Sequence, residues 1–363
     1  MGKNEKKLFS NAFDSNWIAP SGPSLNQFEK EMSHYLNINS CCALSSGTAA
    51  LHLSLRILGI KKGDVVLCSS LTFAASANAI LYEKAIPVFL DSDPNFWTID
   101  PECIEKAIKK HKPKALIAVD IYGQSCDYDP ILDLCEKYNI YLIQDSAESL
   151  GSDYKGKKCG TFGEMGILSF NGNKIITTSG GGMLVSNNKK FIDKAHYLST
   201  QSREPKIHYE HKELGFNYRL SNLLAAIGTG QLESLDYFVK KRRSIYKKYH
   251  NELSHIDGFK FMELAEYGRS NCWLTAFTIE SEKTGFDRDH LIKILENENI
   301  ESRPVWKPMH LQPFYKKSKY VKNSSIDVSK ELFLNGICLP SGSSLSEEDQ
   351  DRIIDIILSL STK

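Results

Sequence analysis

The chain has 363 residues, 41% hydrophobic and 25% charged, which is enough to bury a large core and matches an ordinary globular protein of one large and one smaller domain. A formal net charge of +1 argues against a nucleic-acid surface, because neutralising phosphates takes a concentrated basic face. No run reaches the roughly 18 apolar residues of a membrane span, and the start, Met-Gly-Lys-Asn-Glu-Lys-Lys, has no apolar h-region or cleavage pattern, so a cytoplasmic protein is expected. The nine cysteines, among them Cys68, Cys103, Cys135 and Cys338, fall mostly inside apolar patterns and read as buried reduced thiols. Cys41-Cys42 lacks the spacing of a metal ligand pair.

In chain order, residues 1 to 15 form a polar lead-in ending in a short helix, and the Pro- and Gly-broken stretch from Asn16 to Pro23 reads as a loop. Leu25, Phe28, Met32 and Tyr35 give the spacing of an amphipathic helix. Ser45-Ser46-Gly47-Thr48 precedes a helix from Ala49 to Leu58; such a start either caps the helix or offers its free N–H groups to an anion. Strands at 65–68, 87–90, 115–119 and 140–143 then alternate with helices at 74–82, 101–109 and 130–138, a pattern of βαβ units and a mostly parallel sheet. Asp100 reads as an N-cap and Pro101 as the first helical position. Phe73, directly after a strand, is either core or a ring set to stack on something planar.

Asp145 stands just past the strand Ile140 to Ile143, where an open parallel sheet binds its ligands. Lys174 follows a second apolar run, Met165 to Phe170, across an Asn171-Gly172-Asn173 turn. Between them, residues 151 to 157 resemble a hairpin. An acid and a lysine at neighbouring strand ends meet two needs of pyridoxal phosphate (PLP), a covalent anchor and a partner for the pyridinium nitrogen. The glycines 180 to 182 lead into the strand Met183 to Val185 and suggest close backbone approach or positive φ. A helix from Lys189 to Tyr197 follows, then a long basic-aromatic loop from Thr200 to Gly215, of the kind that is functional or mobile. Asn217-Tyr218-Arg219 opens a helical stretch from Ser221 to Leu253, interrupted near Gly228 and Gly230, whose Lys240-Lys241-Arg242-Arg243 run reads as a solvated face. Strands at 259–262, 272–279 and 336–339 and helices at 289–295 and 346–358 complete a smaller α+β unit.

The motifs Ser46-Gly47-Thr48-Ala49-Ala50-Leu51, Asp145-Ser146-Ala147-Glu148, Ser169-Phe170-Asn171-Gly172-Asn173-Lys174 and Gly215-Phe216-Asn217-Tyr218-Arg219-Leu220 resemble those of the bacterial PLP-dependent sugar-nucleotide aminotransferases, from about Asn16 to the C-terminus. Within that family the chain is most similar to the bacillosamine-type branch, which aminates 4-keto-6-deoxy UDP-sugars. The resemblance implies an α/β fold of the type I PLP transferases, with a large domain over residues 1–250 and a small C-terminal α+β domain over 251–363.

It also implies roles. Lys174 would bond to the cofactor and move the proton, and Asp145 would hold the ring nitrogen. Gly47, Thr48 and Ser169 would bind the phosphate, Phe73 would stack on the ring, and Asn217 would reach the site of a second subunit in a homodimer. Glu148 stands where many relatives carry glutamine and a deoxygenating branch carries histidine; Lys174 itself argues for amination over dehydration. The corresponding loop of the family lies near the nucleotide sugar, which implicates Asn16, Trp17, Ile18 and Ala19. By their chemistry Arg303 and Trp306, in the segment with Pro304 and Val305, either bind a UDP-sugar, guanidinium to phosphate and indole to ring, or form an inter-domain salt link and a core aromatic, and His310 is a candidate of the same kind. The expected substrates are a UDP-4-keto-6-deoxy amino sugar and L-glutamate, with no metal. The alternatives are another nucleotide-linked keto sugar of the legionaminic acid or perosamine type, a nucleotide-binding α/β protein without PLP, and a non-catalytic regulator on the same scaffold.

Overall fold

The computed structural model describes residues 1–361. Helices α1 (Lys3–Asp14) and α2 (Pro23–Leu36) lead into β1 (Ser40–Leu44) and α3 (Gly47–Ile57). Then β2 (Val65–Ser69), α4 (Ala74–Tyr82), β3 (Ile86–Leu90), α5 (Pro101–His111), β4 (Ala115–Val119), α6 (Tyr128–Tyr138) and β5 (Tyr141–Asp145) alternate as expected. Asp100 does cap α5, accepting from Glu102 N–H at 2.9 Å. A hairpin of β6 (Asp153–Tyr154) and β7 (Lys157–Lys158) precedes β8 (Met165–Ser169), β9 (Gly182–Ser186) and α7 (Lys189–Ser199). After α8 (Asn222–Leu232) and α9 (Leu235–Leu253) come β10 (Phe259–Phe261), β11 (Gly268–Arg269), β12 (Thr275–Ile279), α10 (Ser281–Thr284), α11 (Arg288–Asn297), β13 (Arg303–Pro304), β14 (Lys319–Val321), α12 (Val328–Asn335), β15 (Gly336–Leu339) and α13 (Glu347–Ser361).

The large sheet runs β1-β9-β8-β5-β4-β2-β3-β14. Its strands from β8 to β14 are mutually parallel, while β9 pairs antiparallel with both β8 and β1. All five residues of β4 are buried, as a central strand covered on both faces requires. The parallel strands therefore end together, and the turns after β2, β4, β5 and β8 share one edge. The smaller antiparallel sheet, β10-β12-β15-β13, has its own core with Phe277, Leu291, Ile337 and Ile357.

Several local expectations change. The lead-in is helical over most of its length, and α1 packs closely on α8, where a Cβ at Gly230 would meet Glu5 at 2.9 Å. Gly228 likewise faces the Phe28 ring, so these glycines admit neighbours within an unbroken helix; the interruption falls at Glu233 and Ser234. Strand β1 lacked an alternating pattern because four of its five residues are buried. Of the basic run on α9, Arg242 is not solvated: it is buried and donates to the carbonyls of Trp273 and Ser341. Residues after 251 do not all stay with the small sheet, since β14 pairs with β3 and Met309 and Tyr315 join the core under the large one. Among the described residues, no helix is long and apolar enough to cross a membrane, and all nine cysteines are free and buried.

Candidate active site

At the shared edge lies a cavity of about 380 Å³ lined by Gly47, Thr48, Phe73, Ser76, Asp145, Glu148, Ser169, Lys174, Trp273 and Trp306, among others. One end of it is the start of α3. Ser46 caps that helix by accepting from Ala49 N–H at 3.0 Å, which leaves the N–H groups of Gly47 and Thr48 without an acceptor in their own helix. The Ser-Ser-Gly-Thr stretch is thus a cap with open donors beside it. Small residues are needed here, because a Cβ on Gly182 would stand 2.3 Å from Gly47 N. The close approach read from the glycine cluster falls on Gly182, whereas the positive φ, 72°, falls on Ser179.

Asp145, the last residue of β5, is buried on the cavity wall. Its Oδ2 accepts from Ser76 Oγ at 2.7 Å, and Ser76 lies 2.9 Å from Thr72 Oγ1. Oδ1 accepts from Ala147 N–H at 3.2 Å. Burial raises the Asp145 carboxyl above its usual range, against the Ser76 and Ala147 hydrogen bonds and the Lys174 charge. Among the described residues, no cation stands within ion-pair distance of it. Behind it, buried Asp120 accepts from Tyr128 Oη, Cys126 N–H, Gln144 Nε2, Ser146 Oγ and Ser149 Oγ, tying the turns after β4 and β5 together.

The Lys174 ammonium is nearly buried, 3.9 Å from Glu148 Oε1 and 4.1 Å from the centroid of the Trp273 ring. Glu148 is fixed from its other oxygen by Tyr122 N–H at 2.6 Å, in a turn where Tyr122 adopts φ 51°. Burial pushes the amine down and the carboxyl up, each opposed by the other's charge. Burial thus draws the proton affinities of the two groups toward each other.

The expected residues do not all meet here. Asn217 is exposed and bridges Thr200, and Asn16, Trp17, Ile18 and Ala19 form an exposed loop held by Asn222. Arg303 is exposed and paired with Glu301, on a separate cleft. Pro304 is in β13, pairing with Ile337, and lies outside the cavity. Two assignments are corrected. Val305 is fully buried against Leu71, Tyr122 and Trp273, so it packs instead of binding. Both ring nitrogens of His310 are engaged, by Ser70 Oγ at 2.6 Å and Asp327 at 3.0 Å, and its ring stacks on Tyr320, so it clamps the 305–315 segment to the end of β2. Three residues were missed. Asp120 follows β4 as Asp145 ends β5, and the same rule finds it; Ser76 shows as a lone hydroxyl among apolar helix positions. Trp273 gives no local signal, because it meets Lys174 from a distant part of the chain.

Among the described residues, one cluster of side chains has the spacing of a metal site, and it already holds a cation. Ligand atoms of Glu29, Cys42 and His196 lie within 4.8 Å of one another, yet Arg219 Nη1 is 2.7 Å from Glu29 Oε1 and 3.3 Å from Cys42 Sγ. The guanidinium supplies the cation.

A family model described as the DegT/DnrJ/EryC1/StrS aminotransferase family matches residues 1–358. The chain is similar to a Bacillus subtilis (strain 168) protein assigned as a pyridoxal phosphate-dependent aminotransferase, EpsN, at 50% identity over 99% of this chain and 94% of that one. It is 38% identical to the GDP-perosamine synthase of Escherichia coli O157:H7, covering 97% and 94%. Identity to the UDP-4-amino-4,6-dideoxy-N-acetyl-beta-L-altrosamine transaminase of Campylobacter jejuni is 36%, covering 83% and 80%. Among solved structures, an aminotransferase of the same description from Brucella abortus superposes with a TM-score of 0.91 at 30% identity, covering 99% and 96%. The PLP form of a Streptococcus pneumoniae protein assigned as a sugar aminotransferase gives 0.91 at 26% identity, covering 100% and 97%.

The cavity fits PLP on its own terms. One end has unused backbone donors with the Ser169 hydroxyl beside them, the wall has a desolvated carboxyl group with no ion-pair partner among the described residues, and a nearly buried amine lines the same space. Those are complements to a phosphate, a pyridinium and an aldehyde respectively.

Proposed function

The chain belongs to the DegT/DnrJ/EryC1/StrS aminotransferase family, with PLP as its cofactor, and from that premise we propose that it transfers an amino group from L-glutamate to C4 of a 4-keto-6-deoxy UDP-N-acetyl-hexosamine. The product would be a UDP-4-amino-4,6-dideoxy sugar for a surface glycan or glycoprotein, made in the cytoplasm. The observation that carries the reading is the single cavity in which a desolvated lysine amine and an unpaired carboxylate face the same space. When bound, PLP supplies an electron sink and a carrier for the amino group.

The chain's residues do the rest. Asp145, held by Ser76, keeps a proton on the pyridine nitrogen, and that positive charge in turn favours the carboxylate's ionised form. Gly47 and Thr48 N–H and the Ser169 hydroxyl would hold the phosphate, and Phe73, whose ring centroid lies 5.6 Å from that of Trp306, would cover the cofactor ring. Lys174 would anchor the cofactor, and its amine, once free, would be the group that takes up and returns the proton. Glu148 accepts a hydrogen bond from the cofactor's ring hydroxyl or from substrate and steadies the freed amine.

Asn217, the Asn16–Ala19 loop, Arg303 and Pro304 lie outside the cavity of one chain, and in this reading the exposed Asn217 serves the site of a second copy in a homodimer. Glu148 in place of glutamine, which the resemblance shares with the bacillosamine-type branch, supports the UDP-linked substrate. A GDP-linked keto sugar is the second reading, favoured by the 38% identity to a GDP-perosamine synthase. Incubation with glutamate and either UDP-4-keto-6-deoxy-N-acetylglucosamine or GDP-4-keto-6-deoxymannose, followed by mass spectrometry, separates them. Conversion of the GDP sugar alone overturns the UDP assignment, and conversion of neither overturns both.

A further inference from the structure

Lys174 is the one side chain that must stay usable after it lets go of the cofactor, and an unattached lysine has four rotatable bonds with which to leave. We propose that Trp273 is a positioning residue for the Lys174 amine, its indole face and the Glu148 carboxylate holding the amine between them at the cavity wall. This rests on the assignment of Lys174 given above.

Trp273 is itself held at its ring and at its backbone. Its Nε1–H donates to Asn173 O at 2.9 Å, the residue next to the lysine it covers. Its backbone N–H donates to Asn271 Oδ1 at 2.8 Å, and its carbonyl accepts from Arg242 Nη1 at 2.5 Å. Asn271 in turn donates to the carbonyls of Glu148 and Leu150, both at 2.9 Å. The same buried amide thus sets the backbone that presents the carboxylate and the backbone that presents the indole. Between them Cys272 is held at φ 52°, which turns Trp273 inward just before β12. Arg242 is buried with no carboxylate in ion-pair reach among the described residues, so its charge is committed to the Trp273 and Ser341 carbonyls. A core tryptophan chosen only for bulk would need none of these constraints.

An ammonium 4.1 Å from the centroid of an indole ring is favoured in its charged form by the ring's negative face. The other charged groups acting on Lys174 are Glu148 and Asp145, both of which also favour its charge, while burial opposes it. Removing the indole without admitting water must therefore make the amine easier to deprotonate and freer to wander. A tryptophan that merely excludes solvent predicts the opposite sign, because its loss would hydrate the ammonium.

The test uses the full-length protein freed of cofactor, with competitive acetic anhydride labelling against pH and mass spectrometry of the Lys174 peptide. For Trp273→Leu the amine's titration midpoint falls by about half a unit or more, with Trp273→Phe between it and the parent. Arg242→Gln, which frees the Trp273 carbonyl, shifts it in the same direction by less. In the loaded enzyme kcat falls about tenfold while KM for the amino donor stays within about twofold, because the amine is displaced and donor binding is not. An unchanged or raised midpoint in both Trp273 variants overturns the proposal, and the Phe variant keeps that reading available if the Leu variant does not fold. Failure here leaves the Lys174 assignment standing, whereas an active Lys174→Ala enzyme would remove that assignment whatever Trp273 does.

Discussion

Replacing Gly182 by alanine asks whether the start of α3 must stand where it does for the cavity to hold its phosphate. The new Cβ would lie 2.3 Å from Gly47 N and Ser46 C and 2.5 Å from Ser46 O, whereas ordinary contact begins at 3.4 Å. Roughly 1 Å of backbone movement is needed, an overpacking that costs on the order of 1–3 kcal/mol. Strand β9 cannot supply it cheaply, since Gly182 is paired with Leu44 on one side and Ser169 on the other. The helix start moves instead, and with it the two N–H groups. Misplacing a binding group by about 1 Å can cost on the order of 10²-fold. Gly180, two residues earlier, has nothing within 4 Å of its Cβ position and is the internal control. Absorbance titration with PLP should show Gly182→Ala binding at least about tenfold more weakly, and urea unfolding a loss of about 2 kcal/mol. Gly180→Ala should stay within about 0.5 kcal/mol of the parent. Equal behaviour of the two variants, or parental PLP affinity in Gly182→Ala, would refute the reasoning.

Lys174→Ala should abolish turnover and the visible absorbance of the bound cofactor together, and retention of both would exclude this lysine. Asp145→Asn should lower kcat by at least about 10²-fold, measured in steady state. Because burial raises Asp145 in the fold, this carboxyl favours the folded protein below its unfolded pKa, and that contribution is lost as pH rises through the folded value. The cofactor-free Asn variant should therefore be no less stable than the parent at pH 7, and a large loss there would show Asp145 to be structural. At His196 burial opposes protonation, but Cys42 and Glu29 outweigh it and raise the imidazole from 6.5 to about 10. Its stabilisation is fully present below pH 6.5 and fades towards pH 10, so His196→Asn should flatten the decline of the urea midpoint across that window. Parallel curves for variant and parent would contradict this.

The parallel half of the fold was legible because β2, β3, β4 and β5 are short apolar runs separated by helices with clear caps, such as Asp100 and Pro101. Strand β1 was not, since its Ser-Cys-Cys-Ala-Leu sequence is buried without alternation, and β14 was not, since three residues carry too little pattern to show that the chain returns to the large sheet. Glu233–Ser234 breaks the long helix where no glycine marks it, while Gly228 and Gly230 lie inside a helix to admit Phe28 and Glu5. The polar ends of the cavity, Asp145, Ser169 and Lys174, stand next to strand ends and so carry a local signal. Trp273, Asn271 and Arg242 converge on Lys174 only through tertiary packing, and no spacing announces them. Arg242 was misread for a related reason: a basic run looks solvated until loop carbonyls just before β12 and just after β15 reach one of its members.

The claim on which everything else depends is that Lys174 is the residue that bonds to PLP. Borohydride reduction of the loaded protein, followed by proteolysis and mass spectrometry, tests it directly. The account predicts the cofactor's mass fixed on the peptide carrying Lys174, and no fixed label in Lys174→Ala. Label fixed on a different lysine, or undiminished labelling in the alanine variant, would contradict it.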